Sequence, residues 1–227
     1  MLHPLNRPLV DSAKKVVTAG HGLIHPRISV ELSSAAATDF ARVFAGPGGI
    51  DPYGGLSGEL YMDMTGCGGF AGKGIIDVDA FLSCCGDRFP PNRVLSHDAL
   101  EGAYLRGGYM GDVELTDGFP SRSGDYFKRM HRWIRGDWQN LPWIFSRGKE
   151  LTDIDKWKLF DSLRRSLVAP MTFFAIFFGF FIKTNGLVLA GAAALLSLVS
   201  RLFISLAESA AKRSGQRGVR FHSNVVF

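Results

Sequence analysis

VLSHDALEGAYLRGG, residues 94–108, followed after YMG by DVELTDGFP, residues 112–120, decides the fold. Ser96 is a candidate helix N-cap, and Ala99, Leu100, Ala103, Tyr104 and Leu105 recur behind it at helical spacing. His97, Asp98 and Glu101 then fall in the first turn, and Gly107 with Gly108 closes the helix. DVELTDGFP alternates like a strand that Pro120 ends, and the pattern from Arg122 to Trp143 is helical again, with Pro142 late in it. Helix, strand and helix in succession predict an α/β unit.

Upstream, VVTAG at 16–20 and RISVEL at 27–32 read as short strands, and the Ala-rich stretch behind them reads as helical. Glycines crowd 46–74, which reads as loops that let backbone approach something closely. DVDAFLSCC, residues 77–85, is a plausible helix.

Downstream the composition changes. LVAPMTFFAIFFGFFI, residues 167–182, carries no charge, and a second apolar run covers 187–207. The second is long enough for a hydrocarbon core of about 30 Å and the first is at the short limit, so the pair predicts a transmembrane helix hairpin. Arg164 and Arg165 before it, and Lys212, Arg213, Arg217 and Arg220 after it, place both ends in the cytoplasm. KWKLFDSLRRSL fits an interfacial helix on the bilayer over 151–166, and 208–227 reads as a basic cytosolic tail. The lipid bilayer is therefore an expected partner.

The formal charge of +5 does not point to nucleic acid, because the cations cluster beside apolar segments and no interleaved aromatic platform accompanies them. Three cysteines without CxxC spacing support neither a disulfide framework nor a zinc site. The N-terminus lacks the continuous apolar run of a secretory signal.

The acidic helix start at 96–101, the strand, and the cluster RMHRW at 129–133 come in the order of membrane-bound inverting glycosyltransferases, where an acidic motif precedes QxxRW. HPLNRP at 3–8, GIDPY at 49–53, GKGIIDVDAF at 72–81, FPPNRVLSHDALEG at 89–102 and RMHRWIRGDWQNLPW at 129–143 sharpen the match. Across residues 1–185 the chain resembles the glycosyltransferase domain of cyclic β-1,2-glucan synthases. That resemblance implies a partial GT-A, Rossmann-like half over 1–150, carrying the acceptor and catalytic side, followed by the hairpin at 167–207. It also implies a multi-pass protein of the bacterial inner membrane.

The implied activity is inverting transfer of β-1,2-linked glucosyl units from UDP-glucose to a growing glucan. Family members also carry an upstream donor-binding half, whose aspartates hold a divalent metal (Mg or Mn), and a downstream phosphorylase-like region. Neither fits in 227 residues, so the chain reads as part of a synthase. The alternative is a non-catalytic membrane piece that acts as a structural or interaction module.

By the resemblance, Asp98 is the general base, which needs a carboxylate within hydrogen-bond reach of the acceptor hydroxyl. An Asp in a first turn is also a common helix-stabilising residue, so both readings stand for the residue by itself. His97 stands where the wider family has Glu and would orient Asp98 or touch the acceptor. Glu101, one turn on, would pair with a cation. Arg132 suits a pyrophosphate that gains charge as the sugar leaves, and Trp133 offers a flat face to a sugar ring. Arg129 replaces the usual Gln, so it serves either the acceptor or a second phosphate contact. Gly72 and Lys73 would border donor or acceptor phosphates.

Asp77 and Asp79 form a DxD string but stand downstream of the family's metal site, so no metal ligand is assigned. Trp138 and Trp143 have a competing reading as anchors at the bilayer interface.

Overall fold

Residues 94–120 fold as helix and then strand, with shifted bounds. The structure is a computed structural model that describes residues 3–45, 54, 58–95, 97–148 and 150–179, with positions 181, 186, 188, 191 and 192. The expected helix is α5, Asp98–Tyr104, in the element order established below. His97 is its N-cap without a side-chain cap bond, while Ser96 lies outside the described residues. The glycine pair does not close the helix. Leu105 ends it, Arg106 takes φ 53°, and Gly108 already begins a strand, Gly108–Asp117.

The chain opens with a hairpin of β1 (Leu9–Asp11) and β2 (Val16–Ala19), antiparallel with Asp11 opposite Val16. Its turn is held by Asp11 Oδ1, which accepts from the amides of Ala13 (2.9 Å) and Lys14 (3.1 Å). β3 (Leu23–Val30) starts four residues earlier than its sequence pattern suggested, because Pro26 lies inside it. Proline lacks the ladder donor, and the register with the partner strand slips between Pro26 and Arg27.

The Ala-rich stretch gives two short helices, α1 (Leu32–Ala35) and α2 (Asp39–Phe44); Thr38 caps the second by accepting from Ala41 N at 3.1 Å. After α3 (Leu60–Thr65) and β4 (Ile75–Ile76), the helix α4 (Val78–Cys85) begins on Asp77. Its carboxylate caps the helix by accepting from Ala80 N at 3.0 Å. β5 is the strand Gly108–Asp117, and it lies parallel to β3 while β4 lies antiparallel on the other side, giving the order β4-β3-β5. The fold of the described residues is thus mixed α/β with small sheets.

The helix expected over 122–143 is broken in two, α6 (Ser123–Gln139) and α7 (Leu141–Ile144). Pro142 sits in the first turn of α7, where its missing N–H costs no intrahelical bond. α4, α5, the hairpin and the start of the last helix, α8 (Asp153–Gly179), bury one core around Leu23, Cys84, Leu100, Tyr104, Leu105 and Leu159. Removing such side chains from water stabilises by about 1.5–3 kcal/mol each. Arg88 pins the hairpin to this core. Its guanidinium lies 4.1 Å from the Tyr104 ring centroid and donates to the carbonyls of Lys14, Lys15 and Cys84.

Two compact units divide the chain, the first through Asp161 and the second from Ser162. The stretch expected to lie on a bilayer is the first half of α8, and Leu159 from it is in the protein core. In the second unit the residues from Phe173 to Phe178 present exposed rings stacked four apart, Phe173 on Phe177 and Phe174 on Phe178.

The structure leaves the expected hairpin unconfirmed: among the described residues no helix is long and apolar enough to cross a membrane. The first apolar run joins a helix whose front half is studded with Asp153, Asp155, Lys156, Lys158 and Asp161. The second run, apart from positions 188, 191 and 192, and the tail at 208–227 lie outside the described residues, as does GIDPY at 49–53.

Candidate active site

Asp98 enters the site at the first residue of α5, where the helix dipole favours an anion. His97 and Glu101 flank it on the same turn. Opposite stands α6, on which residues 129, 132 and 133 share a face because they are three and four apart. The two helices are tied together where they matter: Gln139 Oε1, at the end of α6, accepts from the Leu95 amide at 2.9 Å, just ahead of α5.

The result is an open cleft of about 350 Å³ lined by Leu95, His97, Asp98, Glu101, Arg132 and Trp133. It brings one carboxylate pair, one imidazole, one guanidinium and one indole together. Burial pushes the Glu101 carboxyl up from its ordinary value, the nearby Asp98 charge pushes the same way, and His97 opposes them more weakly. His97 is oriented from behind, its ring stacked on Phe89 at 4.8 Å and 10°.

The other sequence-predicted residues stand around the cleft rather than on its lining. Arg129 places its guanidinium 5.5 Å from the Trp133 ring centroid and donates to the Gly118 carbonyl at 3.4 Å. Lys73 is paired with Asp117 at 2.9 Å, at the far end of β5. Gly72 comes up against Asp98 from the glycine-rich loop with φ +79°. Trp143 packs against the core beside Phe89, 6.2 Å between ring centroids, while Trp138 is exposed.

The sequence offered no signal for Leu95 or Gln139, whose hydrogen bond joins the start of α5 to the end of α6. No three His, Cys, Asp or Glu side chains are grouped for a metal among the described residues. Asp77 is committed to capping α4. The divalent ion implied by the resemblance therefore finds no fitting ligand set there.

No protein-family model matches the chain. The cyclic beta-(1,2)-glucan synthase NdvB of Rhizobium meliloti (strain 1021) is 43% identical to it over 169 residues. Those residues are 74% of this chain and 6% of the relative, so the chain spans only a small part of the length of the protein it matches. Along that stretch the chain is related to one segment of a cyclic beta-(1,2)-glucan synthase.

Proposed function

We propose that the cleft is the acceptor side of an inverting glucosyltransferase that forms β-1,2 links from UDP-glucose. The observation that carries this is the convergence of Asp98, Arg132 and Trp133 on one cleft from two helices. Trp133 stacks the acceptor glucose, and Asp98 takes the proton of its hydroxyl as that oxygen attacks the anomeric carbon. The bond from that carbon to the diphosphate oxygen breaks, and UDP leaves with the electron pair. Arg132 meets the charge that grows on it. These steps use this chain's side chains only.

A GT-A half outside this chain would add the contacts to the donor's uridine, while this chain's own Arg132 holds the diphosphate. One feature supports that division: β5 pairs with β3 along one edge, and its other edge pairs with no described strand. The same feature supports a second reading, in which the chain alone is a structural module that cannot bind donor. We place the chain at the cytoplasmic face of a bacterial inner membrane, with the exposed phenylalanines of α8 in lipid and both ends cytoplasmic.

The test is equilibrium binding of UDP-glucose to the full chain, together with transfer of labelled glucose to a β-1,2-glucan. Wild type binds and transfers, Asp98→Asn binds without transferring, and Arg132→Ala loses binding. No detectable binding by wild type removes the stand-alone enzyme and leaves the module.

A further inference from the structure

Lys158 lies on the first half of α8, away from the cleft, and its side chain is only 12% exposed. Its ammonium donates to the carbonyls of Cys67 and Gly68, the latter at 3.3 Å. It also lies 3.8 Å from Asp155 Oδ1 and 5.4 Å from the Tyr61 ring centroid. A buried ammonium is costly unless it is matched, and here two carbonyls accept from it while the Asp155 carboxylate offsets its charge. Asp155 is fixed in turn, since its Oδ2 accepts from Thr152 Oγ1 at 2.6 Å.

The carbonyls that Lys158 grips begin the glycine-rich loop at 66–74. On its other side that loop is locked to α5 and its exit: Gly68 N donates to Gly107 O at 2.7 Å. Gly102 of α5 lies tight against the loop, since a β-carbon there would stand 3.0 Å from Phe70 Cβ and the neighbour would have to shift. The loop ends its run against the Asp98 carboxylate at Gly72. The clamp is largely buried, and burial raises the Cys67 thiol despite the nearby Lys158 charge.

We propose that Lys158 is a positioning residue for the cleft: by gripping the Cys67 and Gly68 carbonyls it presses the glycine-rich loop onto α5 and so sets where Gly72 meets the Asp98 carboxylate. Its consequence for catalysis rests on the glucosyl-transfer reading, while the mechanical part does not.

The chain supplies its own reporter, since Cys67, Cys84 and Cys85 are all buried free thiols. The full chain is pulse-labelled with a maleimide and mapped by mass spectrometry, beside amide hydrogen exchange over residues 97–102. Lys158→Met is expected to speed labelling of Cys67 about tenfold and exchange over 97–102 about fivefold, with Cys84 and Cys85 unchanged. Lys158→Arg, which keeps a cation for the carbonyls, is expected to restore both.

Unchanged Cys67 labelling overturns the inference. A rise shared by all three cysteines overturns it as well, since Lys158 would then only hold up the fold, and so does a freed Cys67 with unaltered exchange over 97–102. Where wild type transfers glucose, Lys158→Met should lower kcat about tenfold with donor KM within about twofold. Absence of wild-type transfer counts against the proposed function alone, because labelling and exchange decide the role of Lys158 without substrate.

Discussion

Gly72 abuts the Asp98 carboxylate so closely that a β-carbon built on it would stand 2.9 Å from Asp98 Oδ2. Its φ of +79° is a conformation that residues with a β-carbon reach only with strain. Two separate penalties therefore fall on one methyl group, one in the loop and one at the carboxylate.

Gly72→Ala is expected to lower stability by about 1–2 kcal/mol from the backbone strain. It also pushes Asp98 off its position, and misplacement of a base by about 1 Å costs on the order of 100-fold in rate. Urea unfolding and single-turnover transfer separate the two effects. A variant that loses stability but transfers normally would show that the contact with Asp98 is incidental.

Glu101 shares the cleft with Asp98, and its raised carboxyl gives a pH signature. A carboxyl raised in the folded state holds its proton more tightly there than in the unfolded chain. Its contribution to stability is full below the ordinary value of 4.5 and is lost as pH rises through the raised folded value. Urea midpoints measured upward from about pH 4 should carry a falling component that Glu101→Gln removes. Asp98→Asn should lower the Glu101 pKa, followed by carboxyl NMR, because a like charge has gone. Burial, the larger cause, keeps it above the ordinary value.

Arg129 and Arg132 separate by the same geometry. Arg132 lines the cleft, whereas Arg129 rides on the Trp133 ring and the Gly118 carbonyl. Arg129→Ala should leave binding of the diphosphate unchanged and free the indole, at about 0.5–1 kcal/mol for an exposed cation–π contact. Arg132→Ala should do the reverse. Tryptophan fluorescence and nucleotide titration read the two losses independently, and equal losses of nucleotide binding in both variants would refute the assignment.

Legibility followed the range of the forces involved. The acidic turn and the Arg/Trp face were readable because each is local: first-turn placement and three-and-four spacing put Asp98, Arg132 and Trp133 on defined faces. What brings those faces together was not readable, because the Gln139-to-Leu95 bond spans 44 residues and leaves no periodicity. The start of β3 at Leu23, ahead of the strand read at 27–32, was hidden for a related reason. A proline argues against a strand interior until a bulge absorbs it, and the bulge depends on β5, which lies far along the chain.

The partner of Lys73 was not readable either: a lysine in a glycine-rich loop reads as a phosphate neighbour, and here it is paired with Asp117 on β5. Residues 151–166 read as an interfacial helix from their mix of apolar residues and cations, and that local pattern does not show that Leu159 packs into the core.

Arg88 offers a stability test that leaves the cleft alone. It donates to three carbonyls and to Glu150, and covers the buried Tyr104 ring. Arg88→Met should cost about 2–3 kcal/mol, as expected when charge-assisted bonds to partly buried carbonyls are lost. Glu150→Gln should cost well under 1 kcal/mol, since Glu150 is half exposed and its ion pair is screened. Chemical denaturation gives both numbers.

The exposed rings of α8 decide the membrane question experimentally. Phe173 and Phe174 form one adjacent pair and Phe177 and Phe178 another four residues on, and all four are exposed. A patch of this size held in water is a liability unless something apolar covers it, and full burial of one such ring is worth about 1.5–3 kcal/mol. Replacing the four with Ser should therefore reduce partition of the full chain onto anionic vesicles by several orders of magnitude if lipid is the cover. Flotation of chain with vesicles reads this directly. Cofloating that survives the fourfold change would place the anchor elsewhere. Loss of flotation that is equally complete with Arg164 and Arg165 changed to Gln and the rings intact would make charge, rather than these rings, the attraction.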